Sequence, residues 1–230
     1  MRRLLIVRHG ESIWNLDSKF TGWTNIPLTK KGEQEAENIG KLIKQNNWKP
    51  SIIFSSSLQR AIKTGSIIKK QIYNYDIPML TTWRLNEKHY GNLEGVEREY
   101  IRNKYGKKYT KKMRTNFFML PPLLNDIPQY INGEYPIYRN KYYETISQGE
   151  SKKKVYERLI PYYERYIVPS ILKGDSPLIV SHKHTVRVLM KYVKNINNDD
   201  FEKYNISSNK LITLVFDKDM KLICENDYKY

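Results

Sequence analysis

Short apolar runs separated by polar turns recur along the chain and predict buried β-strands. Each run is continuous rather than alternating, which is typical of a strand that is covered on both faces. The predicted strands are Leu4–Val7, Ile52–Phe54, Pro177–Val180 and Leu211–Phe216, with Lys221–Cys224 as a weaker candidate for an edge strand.

The segments between these runs place apolar residues at helical spacing and predict α-helices. Thr29 suits the N-cap of a helix that continues through Ile43, because its hydroxyl can accept a bond from an amide of the first turn. The other predicted helices are Leu58–Ile72, Ser151–Ile171 with an interruption or restart at Pro161, and Thr185–Lys194. This alternation predicts an α/β fold: a single-domain, three-layer sandwich over residues 1–230, with a mostly parallel central sheet and helices on both faces.

Residues 113–148 show neither the continuous apolar runs of the predicted strands nor the helical spacing of the predicted helices. Four prolines and a glycine interrupt this stretch among many tyrosines, so it predicts a long ordered insertion rather than a core element. Long insertions in a compact domain are usually functional, and we therefore expect this one to shape an active site.

Composition narrows the range of partners. The formal net charge is +16 and the pI is about 9.6, which favours anionic ligands in general. Lysines occur along the whole length without a recognisable nucleic-acid-binding module, so we expect no nucleic-acid partner. Cys224 is the single cysteine, and no apolar stretch reaches the roughly 20 residues that span a bilayer. We expect a cytoplasmic protein without a membrane partner.

The first apolar run ends at Arg8-His9-Gly10. Ligands of open α/β sheets bind beyond the carboxyl ends of the strands, so His9 is predicted to lie at such a site. A neutral imidazole is a good nucleophile near pH 7 and can form a phosphohistidine, while arginine pairs bidentately with phosphoryl oxygens. Three residues alone are a weak signal, and further motifs must support this chemistry.

Several longer motifs in one order resemble the cofactor-dependent phosphoglycerate mutases of the histidine phosphatase superfamily. The resemblance extends from residue 4 to about residue 217. The matching segments are Leu5-Ile-Val-Arg-His-Gly-Glu-Ser12, Trp14-Asn15, Phe20-Thr-Gly-Trp-Thr24, Pro27-Leu-Thr29, Ser55-Ser-Ser-Leu-Gln-Arg60-Ala-Ile-Lys-Thr64, Thr82-Trp-Arg-Leu-Asn-Glu87-Lys-His-Tyr-Gly91, Gly149-Glu-Ser151 and Val180-Ser-His182.

The resemblance implies a role for each matching site residue. His9 would be the nucleophile that takes the phosphoryl group, and Glu87 would donate and accept the proton of the transferred hydroxyl. The cations expected around the phosphoryl oxygens are Arg8, Arg60 and His182. The further positions expected to contact phosphate or substrate are Ser12, Asn15, Thr21, Gly22, Tyr90, Arg98 and Arg114.

Four departures from the family pattern bear on the fate of the phosphohistidine. Thr115 follows Arg114 where the family has a second arginine, and Lys183-His184 replaces Gly-Asn, so that Lys183 could supply charge to the substrate. Ser207-Ser208-Asn209 replaces Pro-Thr-Gly, and the sequence ends at Tyr230 without the lysine-rich tail that resembles a lid in the mutases. Each change predicts a weaker clamp or a wetter site.

These departures favour net hydrolysis of small phosphorylated metabolites, because a phosphatase need not retain a bisphosphorylated intermediate. This hypothesis requires no cofactor and no metal. One alternative is a 2,3-bisphosphoglycerate-dependent phosphoglycerate mutase of glycolysis, in which 2,3-bisphosphoglycerate is the primer. A second alternative is a non-catalytic protein that binds partners through its basic surface. The resemblance also implies a homodimer or a tetramer.

Overall fold

A computed structural model describes residues 2–72, 76–123, 130–131, 135–136, 148–207 and 210–230. Six strands form a mixed sheet in the order β3-β2-β6-β1-β7-β8. The first four strands in this order pair in parallel, whereas β7 and β8 join antiparallel. The strands are β1 (Arg2–Arg8), β2 (Ile53–Ser56), β3 (Met79–Thr82), β6 (Leu178–Ser181), β7 (Lys210–Phe216) and β8 (Leu222–Lys229), and a separate pair comprises β4 (Tyr130–Ile131) and β5 (Tyr135–Pro136).

Helices cover both faces of the six-stranded sheet. Alternate side chains of β1 point to opposite faces: Leu4 and Ile6 pack in the larger core, with residues of α5 to α7, while Leu5 and Val7 pack in a second core, with residues of α2 and α3. The helices are α1 (Ile13–Leu16), α2 (Lys30–Gln45), α3 (Gln59–Gln71), α4 (Arg98–Thr115), α5 (Lys152–Tyr162), α6 (Val168–Leu172), α7 (Lys183–Val193) and α8 (Asn198–Lys203). This architecture confirms the predicted α/β sandwich. The single-domain organisation over residues 1–230 stays a prediction.

The main strands are confirmed with small shifts in their bounds, and the weak edge candidate is a full strand, β8, that pairs with β7 along most of its length. The sequence pattern missed β3. This edge strand has four residues, and only Thr82 is buried, so it lacks the apolar run of an inner strand.

The sequence pattern also missed α4, the longest helix of the described residues. Only Ile101, Thr110 and Met113 are buried on it, so it has no apolar stripe that a periodicity search could detect. Gly106 interrupts α4 with a φ of 85°. The prediction that the irregular insertion begins at residue 113 is therefore wrong, since residues 113–115 belong to this helix. Much of the predicted insertion, within residues 124–147, lies outside the described residues, as do Ser208 and Asn209.

Two predicted helix boundaries need correction. The segment beginning after Ser151 does not break at Pro161. It continues past Pro161, because the proline costs the helix one amide donor without ending it, and a π-helical turn at Tyr163–Ile167 then leads into α6. Helix α7 begins at Lys183 rather than Thr185, directly after His182. None of the described helices is long and apolar enough to cross a membrane.

Candidate active site

His9 is the first residue beyond the carboxyl end of β1. Its backbone amide donates to the carbonyl of Ser181 at 3.0 Å, which continues the pairing of β1 with β6. The turn that follows packs against the first turn of α2. A Cβ atom on Gly10 would lie 2.1 Å from the Gly32 carbonyl oxygen, so only glycine allows this approach of two backbones.

The imidazole of His9 is buried and oriented by one hydrogen bond. Its Nδ1 atom lies 2.6 Å from the carbonyl oxygen of Gly10, and a carbonyl only accepts, so Nδ1 bears the proton and Nε2 keeps its lone pair. Burial, followed by the positive charges of Arg60 and Arg8, lowers the pKa of His9 well below the ordinary histidine value. The ring is therefore neutral at pH 7, the form that a nucleophile requires.

His182 lies beside His9 at the carboxyl end of the neighbouring strand β6. The two ring centroids are 4.8 Å apart. The Ser56 hydroxyl donates to Asn86 Oδ1 at 2.8 Å, and it therefore accepts from the Nε2–H of His182, also at 2.8 Å. Nδ1 of His182 is buried and has no partner among the described residues. Burial and the charge of Arg60 lower the pKa of His182 well below the ordinary histidine value, so the ring is neutral at pH 7 and Nδ1 keeps its lone pair.

Arg60 is fully buried in the first turn of α3. Its guanidinium donates to the carbonyls of Gly22 at 2.7 Å and Thr24 at 2.9 Å. Burial lowers the pKa of Arg60 to about 10, so the group is still a cation at pH 7. Thr64 ties this turn to His9: its hydroxyl donates to the Arg60 carbonyl and accepts from the Gly10 amide.

Arg8 is half-buried and is oriented by the loop that follows His9. Its Nη2 atom donates to Asn15 Oδ1 at 3.0 Å, and the Ser12 amide donates to the same oxygen at 3.3 Å. Asn15 thus positions Arg8. Neither Asn15 nor Ser12 lines the cavity beside His9.

Glu87 faces the same cavity from the loop after β3. Its carboxylate accepts the Lys88 amide at 2.8 Å, and its backbone carbonyl accepts from Trp23 Nε1 at 2.6 Å and Arg158 Nη2 at 3.0 Å. The backbone of this catalytic candidate is therefore fixed from two sides, and its side chain lines the cavity.

A small cavity of about 50 Å³ brings most of the predicted site residues together. The predicted residues that line it are Arg8, His9, Thr21, Gly22, Arg60, Glu87, Tyr90, Arg98, Arg114 and Lys183. Five of these side chains are cationic and one is a carboxylate, so the cavity favours a ligand with more than one negative charge. His182 is buried behind the cavity against His9. Phe20 and His184 also line the cavity and were not predicted.

Lys183 takes part in this cavity despite replacing a small residue of the family pattern. It is half-buried, and burial together with the charges of Arg8 and Arg114 lowers its pKa to about 8. It is therefore mostly charged at pH 7. The family pattern has a second arginine where this chain has Thr115, so one positive charge is missing there. Lys183 supplies a positive charge in the same cavity as Arg114.

Glu94 is a site residue that the sequence prediction missed. Its buried carboxylate accepts the amides of Trp23, Thr24 and Tyr90, at 2.9 to 3.0 Å, and the hydroxyl of Thr24 at 2.9 Å. Gly22 adopts a φ of 53°, and a Cβ there would lie 1.8 Å from Glu94 Oε1. Glu94 thus shapes the loop whose carbonyls accept from Arg60. The sequence signal is slight: one acidic residue between Leu93 and Gly95.

Arg158 is a second missed residue, and it fixes the Glu87 loop from α5. Its guanidinium forms a bidentate pair with Glu150, at 2.7 and 2.9 Å, and donates to the carbonyls of Arg84, Asn86 and Glu87. Glu150 also accepts the His89 amide at 2.9 Å. This buried ion pair positions Glu87 without touching the cavity.

The buried histidines predict a pH dependence of stability. His9, His182 and His184 each have a lowered pKa, chiefly through burial, whereas the unfolded chain binds protons near pH 6.5. The unfolded state therefore binds more protons, and stability falls as the pH drops below 6.5. Between pH 6.5 and 5.5 we expect a loss of about 1 kcal/mol for each histidine, or about 3 kcal/mol together. Urea unfolding in phosphate-free buffer measures this loss.

A His184→Asn variant provides the control for this pH effect. Its unfolding free energy should fall by about two thirds as much over the same pH range, because two of the three histidines with a lowered pKa remain. An unfolding free energy that stays constant between these pH values would contradict the buried neutral state of the histidines.

No group of three or more histidine, cysteine, aspartate or glutamate side chains in the described part of the chain is arranged to hold a metal ion. The chemistry that the described residues themselves offer is that of a neutral imidazole nucleophile, several cations and one carboxylate.

The chain matches known proteins over almost its whole length. A family model described as the histidine phosphatase superfamily, branch 1, matches residues 4–122 and 124–225. The 2,3-bisphosphoglycerate-dependent phosphoglycerate mutase of Buchnera aphidicola subsp. Cinara cedri is 40% identical over 219 residues, which cover 94% of each chain. That of Corynebacterium efficiens is 37% identical over 215 residues, which cover 94% of this chain and 84% of the relative.

Solved structures share the fold at lower identity. A mycobacterial glucosyl-3-phosphoglycerate phosphatase in complex with VO3 has a TM-score of 0.74 and 18% identity, covering 100% of this chain and 99% of that one. An α-ribazole phosphatase from Shigella flexneri has a TM-score of 0.65 and 19% identity, covering 94% and 91%.

The fold and the matches define an α/β enzyme of phosphate-ester chemistry. The chain belongs to the histidine phosphatase superfamily, branch 1, in which both mutases and phosphatases occur. This confirms the predicted family and the prediction of an enzyme.

Proposed function

We propose that this enzyme transfers phosphoryl groups of small phosphate monoesters through His9, and that its net reaction is the 2,3-bisphosphoglycerate-dependent interconversion of 3- and 2-phosphoglycerate. The observation that carries this proposal is the cluster of five cations around the cavity at His9. A single phosphoryl group needs fewer, whereas a phosphoglycerate has a carboxylate and a phosphate to bind.

The neutral Nε2 of His9 attacks phosphorus, and the bond between phosphorus and the ester oxygen breaks as the bond to nitrogen forms. Glu87 enters this step as the carboxylic acid, donates its proton to the departing oxygen, and is left as a carboxylate. In the return step a substrate hydroxyl loses its proton to Glu87 and attacks phosphorus, which releases Nε2. Arg8 and Arg60 stabilise the charge on the phosphoryl oxygens throughout, and His182 joins them once its Nδ1 is protonated.

The remaining cations suit the second anionic group of such a substrate. Arg98, Arg114 and Lys183 line the cavity together with Tyr90, and burial raises the pKa of Tyr90, so that its hydroxyl stays protonated and can donate. 2,3-Bisphosphoglycerate supplies the phosphoryl group that primes His9. The relative from Buchnera aphidicola, whose name states dependence on this cofactor, is 40% identical to the chain.

Net hydrolysis of phosphate monoesters is the second candidate. The departures at Thr115 and Lys183 favoured it in the sequence, and two solved structures of similar fold are phosphatases by name. The cavity also adjoins a larger cleft that shares Arg114, Lys183 and His184 with it, which is a route for water. We place the mutase first because Lys183 offsets the charge missing at Thr115. A small phosphorylated substrate, a homodimer or tetramer and a cytoplasmic location stay predictions.

A side-by-side assay of isomerisation and phosphate release tests the proposed function. With 3-phosphoglycerate we expect isomerisation that needs added 2,3-bisphosphoglycerate, with phosphate release below about a hundredth of turnover. Lys183→Gly should raise the share of hydrolysis about tenfold, because one charge-assisted contact to the intermediate is lost. Phosphate release that equals turnover and ignores the cofactor would establish the phosphatase instead.

A further inference from the structure

A second, larger cleft adjoins the cavity at His9. It has a volume of about 860 Å³ and lies between α4, the start of α7, and α8 with the residues that follow it. It shares Arg114, Lys183 and His184 with the smaller cavity, so the two adjoin at these side chains. A ligand whose phosphoryl group lies against His9 would reach the cleft by passing them.

Basic side chains dominate the cleft. The cationic side chains that line it are Arg102, Lys107, Lys111, Arg114, Lys183, Arg187 and Lys203, against the two acidic residues Asp199 and Glu202. Arg102 pairs with Glu99, and Glu202 accepts from the side-chain amide of Asn116. In the part of the chain that the structure describes, neither Lys107 nor Lys111 forms an ion pair.

The cationic side chains of α4 that line the cleft lie on one side of the helix. Lys107, Lys111 and Arg114 follow each other at helical spacing and line the cleft, whereas Lys108 and Lys112 do not. Thr115 also lines it, and its hydroxyl donates to the Lys111 carbonyl at 3.1 Å. This short side chain is turned back to its own helix, so it leaves the cleft open where the family pattern has an arginine.

We propose that the cleft is a second anion-binding site, which takes the distal phosphate or carboxylate of a phosphate monoester longer than phosphoglycerate. This inference rests on the proposed binding of the phosphoryl group at His9. The substrate class is that of bisphosphates and phosphorylated acids whose two anionic groups are separated by several bonds. Lys107 and Lys111 bind the distal group, and Arg114 and Lys183 lie between the two sites.

Calorimetric titration with a matched pair of ligands tests the second site without requiring turnover. Hexyl phosphate has one anionic group, and 1,6-hexanediol bisphosphate adds a distal one. We expect the bisphosphate to bind the unmodified enzyme about tenfold more tightly than hexyl phosphate. Lys107→Ala combined with Lys111→Ala should abolish this advantage and leave hexyl phosphate affinity unchanged. Lys108→Ala combined with Lys112→Ala removes the same charge from the other side and should preserve the advantage.

Two results would overturn the second site. One is equal affinity for the two ligands in the unmodified enzyme. The other is an equal loss in both double variants, because a diffuse positive potential rather than a site would then explain the binding. A failure of hexyl phosphate to compete with inorganic phosphate is a separate result, which would overturn the proposed binding at His9 and the second site with it.

Discussion

Replacing His9 with asparagine should lower the rate of phosphoryl transfer by on the order of 10⁴-fold or more, the scale seen when the group that forms a covalent intermediate is removed. The amide of asparagine can still donate to the Gly10 carbonyl, as Nδ1 of His9 does at 2.6 Å. The nucleophilic Nε2 has no counterpart in it. Initial rates of isomerisation and of phosphate release measure the loss.

The same variant should fold and bind phosphate, since Arg8 and Arg60 are unchanged. Circular dichroism and titration with inorganic phosphate verify both properties. A variant that keeps more than about a hundredth of the original rate would rule out His9 as the nucleophile, because no uncatalysed route replaces a covalent step so well.

Replacing Glu150 with alanine should destabilise the fold by about 3 to 5 kcal/mol. Glu150 and Arg158 form a bidentate pair in which both side chains are at least 94% buried, and the variant leaves the guanidinium buried without its counterion. Arg158 also fixes the carbonyls of Asn86 and Glu87, so activity should fall together with stability. Urea unfolding measures the free energy.

Glu157→Ala, on the helix α5 that also bears Arg158, is the matched control. Glu157 pairs with Lys153, but more than half of each side chain is exposed, and such pairs contribute about 0 to 1 kcal/mol. If Glu150→Ala costs no more than Glu157→Ala, the buried pair does not stabilise the site as the structure indicates.

The inner strands could be predicted from the sequence, whereas two elements could not. Leu4 to Val7 form an apolar run because β1 is covered on both faces, and this pattern is local. Helix α4 has three buried residues among 18, so its position depends on contacts that a local pattern does not contain. Strand β3 is at the edge, and its register with β2 is again a tertiary property.

The residues of the site could likewise be predicted only in part. His9, Arg60, Glu87 and His182 lie in motifs that resemble a known family, and the structure brings them to one place. Glu94, by contrast, accepts four hydrogen bonds, three of them from residues 70 or 71 positions away in the sequence. The sequence around Glu94 contains no pattern that predicts these contacts.

Arg158 poses the same difficulty. Its partners lie eight residues away at Glu150 and more than 70 residues away at Glu87. Residues that position a site through backbone carbonyls have no sequence signature of their own, because any residue supplies a carbonyl.

Mass spectrometry of the trapped phosphoenzyme tests directly whether His9 receives the phosphoryl group. The enzyme is incubated with 2,3-bisphosphoglycerate, quenched in alkali, and digested for peptide mapping. One added phosphoryl group per chain is expected, acid-labile and located on His9. A chain that turns over substrate without becoming phosphorylated, or with the phosphoryl group on another residue, would contradict it.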